Sequence, residues 1–173
     1  MDCKFENINL ELKKLSVSDD MDIYEMLQEI PKDENGFMNT VNGMTFEEYK
    51  QWLIQSEDKS NGIGLKDWQV PSSTYWLFAN GKPVGRGNLR HFLTDKLREE
   101  GGHVGYAIRK SERNKGYGTI LLRFIIEEAR KMNLEKVLLT VRNENKSSIK
   151  VALNNNGRIE KTNKDRHYIW IDC

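Results

Sequence analysis

The residues best suited to chemistry form one stretch, Arg113-Asn114-Lys115-Gly116-Tyr117-Gly118-Thr119, which runs without a break into the apolar-periodic segment Ile120, Leu121, Leu122, Phe124, Ile125, Ile126. A loop with two glycines that opens a helix is an anion site. The first backbone N–H groups of a helix have no internal partner, and the helix dipole places partial positive charge there. The preceding segment, Gly102-His103-Val104-Gly105-Tyr106-Ala107-Ile108, is rich in apolar and aromatic residues and reads as a strand. Strand, basic glycine loop and helix together predict a phosphorylated ligand, with the N–H groups of Asn114 to Thr119 aimed at its oxygens and Arg113 and Lys115 adding charge. Charge runs are more often solvated turns; here the adjoining helix start favours the anion site.

Spacing excludes two common phosphate loops. A Walker loop needs Gly, four residues, Gly-Lys and Ser/Thr, and a dinucleotide fold needs Gly-x-Gly-x-x-Gly. Neither is present. Gly62-Ile63-Gly64 and Gly85-Arg86-Gly87 lack the third glycine and a strand-to-helix context, so both read as loop or bulge glycines. What remains is Arg-x-x-Gly-x-Gly, given by Arg113, Gly116 and Gly118.

The elements that must position this loop follow from patterning. Ile8 to Val17 reads as an opening strand, and Ser18-Asp19-Asp20 starts a helix with Ile23, Met26, Leu27 and Ile30 on one face, ended by Pro31. Asp33 to Gly36 reads as loop. Thr45-Phe46-Glu47-Glu48 is a capping box before a second short helix. Ser56 to Pro71, with Gly62, Gly64 and Pro71, reads as a long irregular connection contributing to an acceptor site. Thr74 to Ala79 and Val84 to Leu89 form a hairpin about Asn80-Gly81, and Thr94 to Glu100 holds one or two helical turns. After the glycine-loop helix come a strand over Lys136–Val141, a helix over Asn145–Asn155 and a last strand over Arg166–Asp172. The fold class is mixed α/β: one central twisted sheet flanked by helices, antiparallel early and parallel across the glycine-loop helix, in a single domain spanning 1–173.

In this context the motif resembles the acetyl-CoA-binding motif of the GNAT superfamily of N-acetyltransferases. Leu89-Arg90-His91, Gly101 to Tyr106, Arg113 to Gly118 and His167 to Ile171 are similar to a branch of small bacterial predicted acetyltransferases. The resemblance implies a GNAT-like acyl-CoA N-acyltransferase fold, with acetyl-CoA as co-substrate. It implies acetyl transfer to a primary amine of a small molecule or protein by direct attack on the thioester. It also implies that the backbone of Tyr106, Ala107 and Ile108 pairs with the pantetheine arm. Asn145-Lys146-Ser147-Ser148 resembles the family's Asn-x-x-Ser, in which Asn145 and Ser148 would meet the cofactor arm; simple helix capping by Asn145 is the alternative, and one Asn could do both.

Attack requires a neutral amine, although an alkyl ammonium has a pKa of about 10, so a base or water relay is needed. His103 and Glu100 are the candidate catalytic residues, with Glu99 and His91 nearby and His167 read as structural. Many family members protonate the departing thiolate with a Tyr. Aligning on Asn145 places Ala152 there and aligning on Gly157 places Leu153, neither of which can donate a proton. Tyr106, Tyr168 or solvent would then serve, and a non-catalytic acyl-CoA-binding or sensing module is the competing reading. Trp52, Trp68 and Trp76 are candidates for the acceptor pocket or, better, the core.

Bulk composition restricts partners. With 27 Lys plus Arg against 26 Asp plus Glu, the net charge of +1 gives no reason to expect nucleic acid or an anionic membrane as partner. Two cysteines at the ends, Cys3 and Cys173, make a poor disulfide framework or metal site, and no metal is expected. No apolar run reaches membrane-span length, and Met1 to Lys4 leads into a charged stretch, so a soluble cytoplasmic protein is expected, with a homodimer left open.

Overall fold

The β-branched and aromatic run of residues 72–79 must bury both faces, since its large side chains alternate without a polar face. The computed structural model, which describes Phe5 and residues 7–173, shows how. The order of elements is β1 (Leu10–Lys14), α1 (Met21–Glu29), β2 (Asp33–Glu34), β3 (Phe37–Met38), α2 (Phe46–Ser60), β4 (Ser72–Ala79), β5 (Lys82–Arg90), α3 (Asp95–Glu99), β6 (Val104–Ile108), α4 (Tyr117–Lys131), β7 (Lys136–Arg142), α5 (Lys146–Asn154), β8 (Arg158–Thr162) and β9 (Arg166–Asp172). Tyr75, Leu77 and Ala79 of β4 face α4, which contributes Leu121, Leu122, Ile125 and Ala129. Trp76 and Phe78 point the other way, onto Ile23, Met26 and Leu27 of α1 and Tyr49 and Leu53 of α2. Each such aliphatic or aromatic side chain, fully buried, stabilises the fold by roughly 1.5–3 kcal/mol. The Thr45 capping box is present, with Glu48 N–H donating to Thr45 Oγ1 at 3.2 Å and Thr45 N–H to Glu48 Oε2 at 2.7 Å.

The mixed α/β class agrees with expectation, whereas the single sheet does not. Two antiparallel sheets form, ordered β1-β4-β5-β6 and β7-β9-β8, with β2-β3 as a separate hairpin. Between β6 and β7 the expected parallel ladder is absent. The strands meet where His103 N–H donates to Leu138 O at 2.7 Å and Leu138 N–H donates to His103 Nδ1 at 2.9 Å. His103 O, the acceptor that the next parallel rung would use, instead accepts from Arg90 N–H of β5 at 2.8 Å, so pairing with β7 stops there and the two sheets stay separate.

Other boundaries moved for local reasons. Helix α2 continues through Ser60 and ends at the Asn61 cap and Gly62 (φ +78°), which confines the irregular stretch to residues 61–71. Strand β8 was not expected because all five of its residues are exposed and show no apolar alternation. The Asp33–Gly36 loop is part of a hairpin whose turn is Asn35-Gly36, both at positive φ, a signal that the sequence does carry. Gly62 and Gly64 are loop glycines, but Gly85 and Gly87 lie inside β5, where a Cβ would overlap Ile108 Cδ1 and Ile125 Cδ1 respectively. They let α4 and its neighbours close on the sheet. Met1 to Lys4, and with them Cys3, lie outside the described residues. Among the described residues no helix is long and apolar enough to cross a membrane.

Gly87→Ala should destabilise the fold by about 1–3 kcal/mol through overpacking against Ile125. Ile125→Val removes the obstructing Cδ1 at a cost of about 1 kcal/mol alone. Urea unfolding of the double variant should therefore show a loss smaller than the sum, and strict additivity would contradict this packing.

Candidate functional site

The divergence of the sheets leaves one edge of β6 unpaired. Arg90 N–H donates to His103 O and Arg109 N–H donates to Val84 O, which with the register fixes Gly105 and Ala107 as the residues whose backbone faces β5. Tyr106 and Ile108 therefore turn their backbone groups outward. Ile108 O accepts from Arg113 Nε at 3.0 Å, and the Tyr106 and Ile108 N–H groups have no acceptor among the described residues. Of the three residues expected to pair with a ligand arm, Ala107 is thus a correction, because its N–H belongs to the β5 ladder.

The open edge runs into the glycine loop. Backbone N–H groups of Asn114, Lys115, Gly116, Tyr117 and Gly118 have no protein acceptor among the described residues, while Thr119 N–H donates to Gly116 O at 3.1 Å. Asn114 (φ +62°) and Gly116 (φ +92°) hold the left-handed turns that aim this row. The loop and the open edge line a groove of about 950 Å³. The cations expected to assist are already matched in the structure. Arg113 forks onto Glu34, with Nη1 to Oε1 at 2.8 Å and Nη2 to Oε2 at 2.6 Å, and Lys115 Nζ lies 2.7 Å from Glu112 Oε2. Lys115 and Lys82 hold the Glu112 carboxyl below its usual range. Arg109 is engaged by Glu29, whose pKa this contact lowers to about 2. Anion binding here therefore depends on backbone N–H groups more than on side-chain charge.

A second cavity of about 370 Å³ adjoins the groove, and Tyr106, Asn145 and Ser148 line both. Asn145 caps α5 through Oδ1, accepting from Ser148 N–H at 3.2 Å, and its Nδ2 has no acceptor among the described residues. Tyr106 OH lies 2.9 Å from Ser148 Oγ, and burial pushes the phenol up to about 12, so it keeps its proton at neutral pH. Glu34, Asn35 and Phe37 of the β2-β3 hairpin also touch both cavities. Trp52 lines the smaller cavity, whereas Trp76 is fully buried, with Nε1 donating to Asp19 at 2.7 Å, and Trp68 is exposed away from both.

The catalytic candidates separate on this geometry. His103 lines neither cavity, and its Nδ1 lone pair is taken by Leu138 N–H. Burial, then Arg98 and Arg90, lower its pKa to about 4. It is a buried neutral imidazole that joins the sheets, which corrects its assignment as a base. Glu100 does line the smaller cavity, largely exposed, with Oε1 accepting from Arg166 at 2.9 Å. His91 bonds Ser73 Oγ at 2.9 Å, and Tyr168 OH donates to Glu99 O at 3.0 Å; neither lines a cavity, so Tyr168 is withdrawn as an acid. Ala152 is buried and Leu153 exposed. Of the two tyrosines, Tyr106 and Tyr168, Tyr106 is the one that stands where the cavities meet. Residues not singled out from sequence are Glu34, for which the Asn-Gly turn was the available signal, and Arg86, marked by the polar alternation Arg86, Asn88, Arg90 along β5.

The family model described as the acetyltransferase (GNAT) family matches residues 27–157. No curated protein matches the sequence. Among solved structures, the N-acetyltransferase PseH of Campylobacter jejuni in complex with acetyl coenzyme A is 16% identical, with a TM-score of 0.64 over 95% of this chain and 99% of that one. The ribosomal L7/L12 alpha-N-protein acetyltransferase RimL, in complex with coenzyme A, is 15% identical, with a TM-score of 0.70 over 94% and 93%. The microcin C7 self-immunity acetyltransferase MccE, with acetyl-CoA and AMP, is 13% identical, with a TM-score of 0.70 over 95% and 92%.

His103→Asn keeps an acceptor near the Leu138 amide and should leave kcat within a few-fold, whereas loss of a general base would cost about 10²–10⁴. His103 charges more readily in the unfolded chain than in the fold. Its contribution to stability is therefore full above pH 6.5 and is lost as pH falls toward about 4, a dependence that unfolding measured against pH should show and the Asn variant should lack.

Proposed function

Because the chain belongs to the acetyltransferase (GNAT) family, we propose that it transfers the acetyl group of acetyl-CoA to a primary amine of a small molecule or protein. The observation that carries this reading is the junction itself: a groove walled by an open strand edge and a row of free N–H groups meets a second cavity at Tyr106, Asn145 and Ser148. The groove fits the donor. The N–H groups of Asn114 to Gly118 suit a pyrophosphate, those of Tyr106 and Ile108 an extended amide-bearing arm, and Asn145 Nδ2 can donate to the same arm.

Bound there, acetyl-CoA supplies an activated acetyl carbon. The outward N–H at β6 polarises its carbonyl, a donor role typically worth about 3 kcal/mol. The amine nitrogen bonds to the acetyl carbon as the C–S bond breaks, the thiolate takes the phenol proton of Tyr106 at the junction, and the high affinity of the buried phenol for a proton returns one to it from solvent. The amine's proton leaves through the acceptor cavity, where Glu34 and Glu100 are the carboxylates. A second reading, a module that binds acyl-CoA without turnover, is favoured by the absence of a proton donor at Ala152 and Leu153.

Thiol release from acetyl-CoA with a panel of amino acids, aminoglycosides, peptides and polyamines, with product masses measured, separates the two. Sustained turnover on any amine rules out the sensor, and tight acetyl-CoA binding without turnover on all of them supports it. In the active case Tyr106→Phe should lower kcat about 10- to 100-fold with little change in KM for acetyl-CoA. An unchanged kcat would transfer the proton-donor role to solvent.

A further inference from the structure

Arg86 sits in the middle of β5, only 9% exposed, and no carboxylate among the described residues meets it. Its Nη1 donates to Asn39 Oδ1 at 3.3 Å, and among the described residues its buried Nε has no partner and no group accepts from Nη2. The guanidinium lies 5.0 Å from the Trp52 ring centroid and 5.3 Å from that of Phe37. Burial lowers its pKa to about 10, which leaves it charged at neutral pH. A buried cation without an opposing charge is costly for a fold to keep, and truncating its partner is what normally creates one. Here the side chain lines the smaller cavity.

The surrounding charge points the same way. Lys59, Arg86, Arg90, Arg142 and Arg166 line this cavity against two carboxylates, Glu34 and Glu100, and those are engaged by Arg113 and Arg166. Arg90 gives Nη1 to the carbonyls of Gly101 and Gly102. Arg86, Arg142 and Lys59 have no carboxylate partner among the described residues. Such a wall repels polycationic acceptors and favours anionic ones. The planar fork of an arginine matches the two oxygens of a carboxylate or phosphate, and the flanking aromatic faces fix its plane. A cavity of about 370 Å³ suits a small molecule.

We propose that the acceptor is a small amine that also carries an oxyanion, a carboxylate or a phosphate, and that Arg86 binds this group between Trp52 and Phe37. The proposal rests on the acetyltransferase reading of the same site. It places the amine, at the other end of the acceptor, toward Tyr106.

Matched acceptor pairs test it without any variant. kcat/KM for free amino acids against their amides scores a carboxylate, phosphoethanolamine against ethanolamine scores a phosphate, and spermidine scores a polycation. The anionic member of at least one pair should be preferred about 10- to 100-fold, and spermidine should be poor. Arg86→Gln should raise the anionic acceptor's KM by a similar factor with KM for acetyl-CoA unchanged. Independently of turnover, inorganic phosphate or succinate, added with the donor groove saturated by CoA, should raise the melting temperature of the wild type and not that of Arg86→Gln. Equal use of neutral and anionic amines, or preference for spermidine, overturns the proposal and leaves the acetyltransferase intact. Anion protection through Arg86 with no amine acetylated upholds the anion site and defeats the acetyltransferase reading instead.

Discussion

The architecture depends on two hydrogen bonds between neighbouring residues of different sheets, His103 N–H to Leu138 O and Leu138 N–H to His103 Nδ1. They tie the start of β6 to β7, and because His103 O is given to Arg90 N–H of β5 no further rung follows. Had the pairing continued, the outward N–H groups of Tyr106 and Ile108 would be satisfied by β7, since buried backbone groups do not stay unpaired. The groove and the smaller cavity exist because the sheets part beyond this joint. The joint also needs a neutral imidazole, which burial provides.

The two cavities use different electrostatics. At the glycine loop Arg113 and Lys115 are neutralised by Glu34 and Glu112, so the field that reaches a donor comes from fixed N–H dipoles. Across the junction the balance reverses, and arginines outnumber carboxylates. The Arg113–Glu34 fork also ties the β2-β3 hairpin to the loop, and that hairpin touches both cavities. The pair is about one-third exposed, a setting in which ion pairs contribute little to net stability, so its effect is mainly on where Glu34 and Phe37 stand.

What the sequence revealed was local. The capping box of Thr45, the apolar face of α4 and the turn residues of the glycine loop are decided by neighbours within a few positions, and each was legible. The family resemblance rested on the same loop. Partnerships between distant positions were not legible: Arg113 with Glu34 across 79 residues, and His103 with Leu138 across 35. A histidine before a strand and an arginine before a glycine loop look like a base and a phosphate ligand until the third dimension supplies their partners. The polar alternation of β5 was visible, but only burial shows that Arg86 is a cation enclosed without an opposing charge. Strand β8 has no apolar face and depends on pairing with β9.

An unpaired strand edge is ordinarily a place where chains stick to one another, which proteins blunt with charges, prolines or short strands. The free edge of β6 carries none of these over Gly105 to Ile108. Its protection is its position: it lies at the bottom of a wedge between two sheets, with α5 on one side and the hairpin at Phe37 on the other. Another sheet is too broad to enter such a wedge, whereas a single linear, flexible chain bearing amide groups can lie along it. The same divergence that exposes the edge thus selects what can reach it by width alone, before any side chain reads the ligand's chemistry.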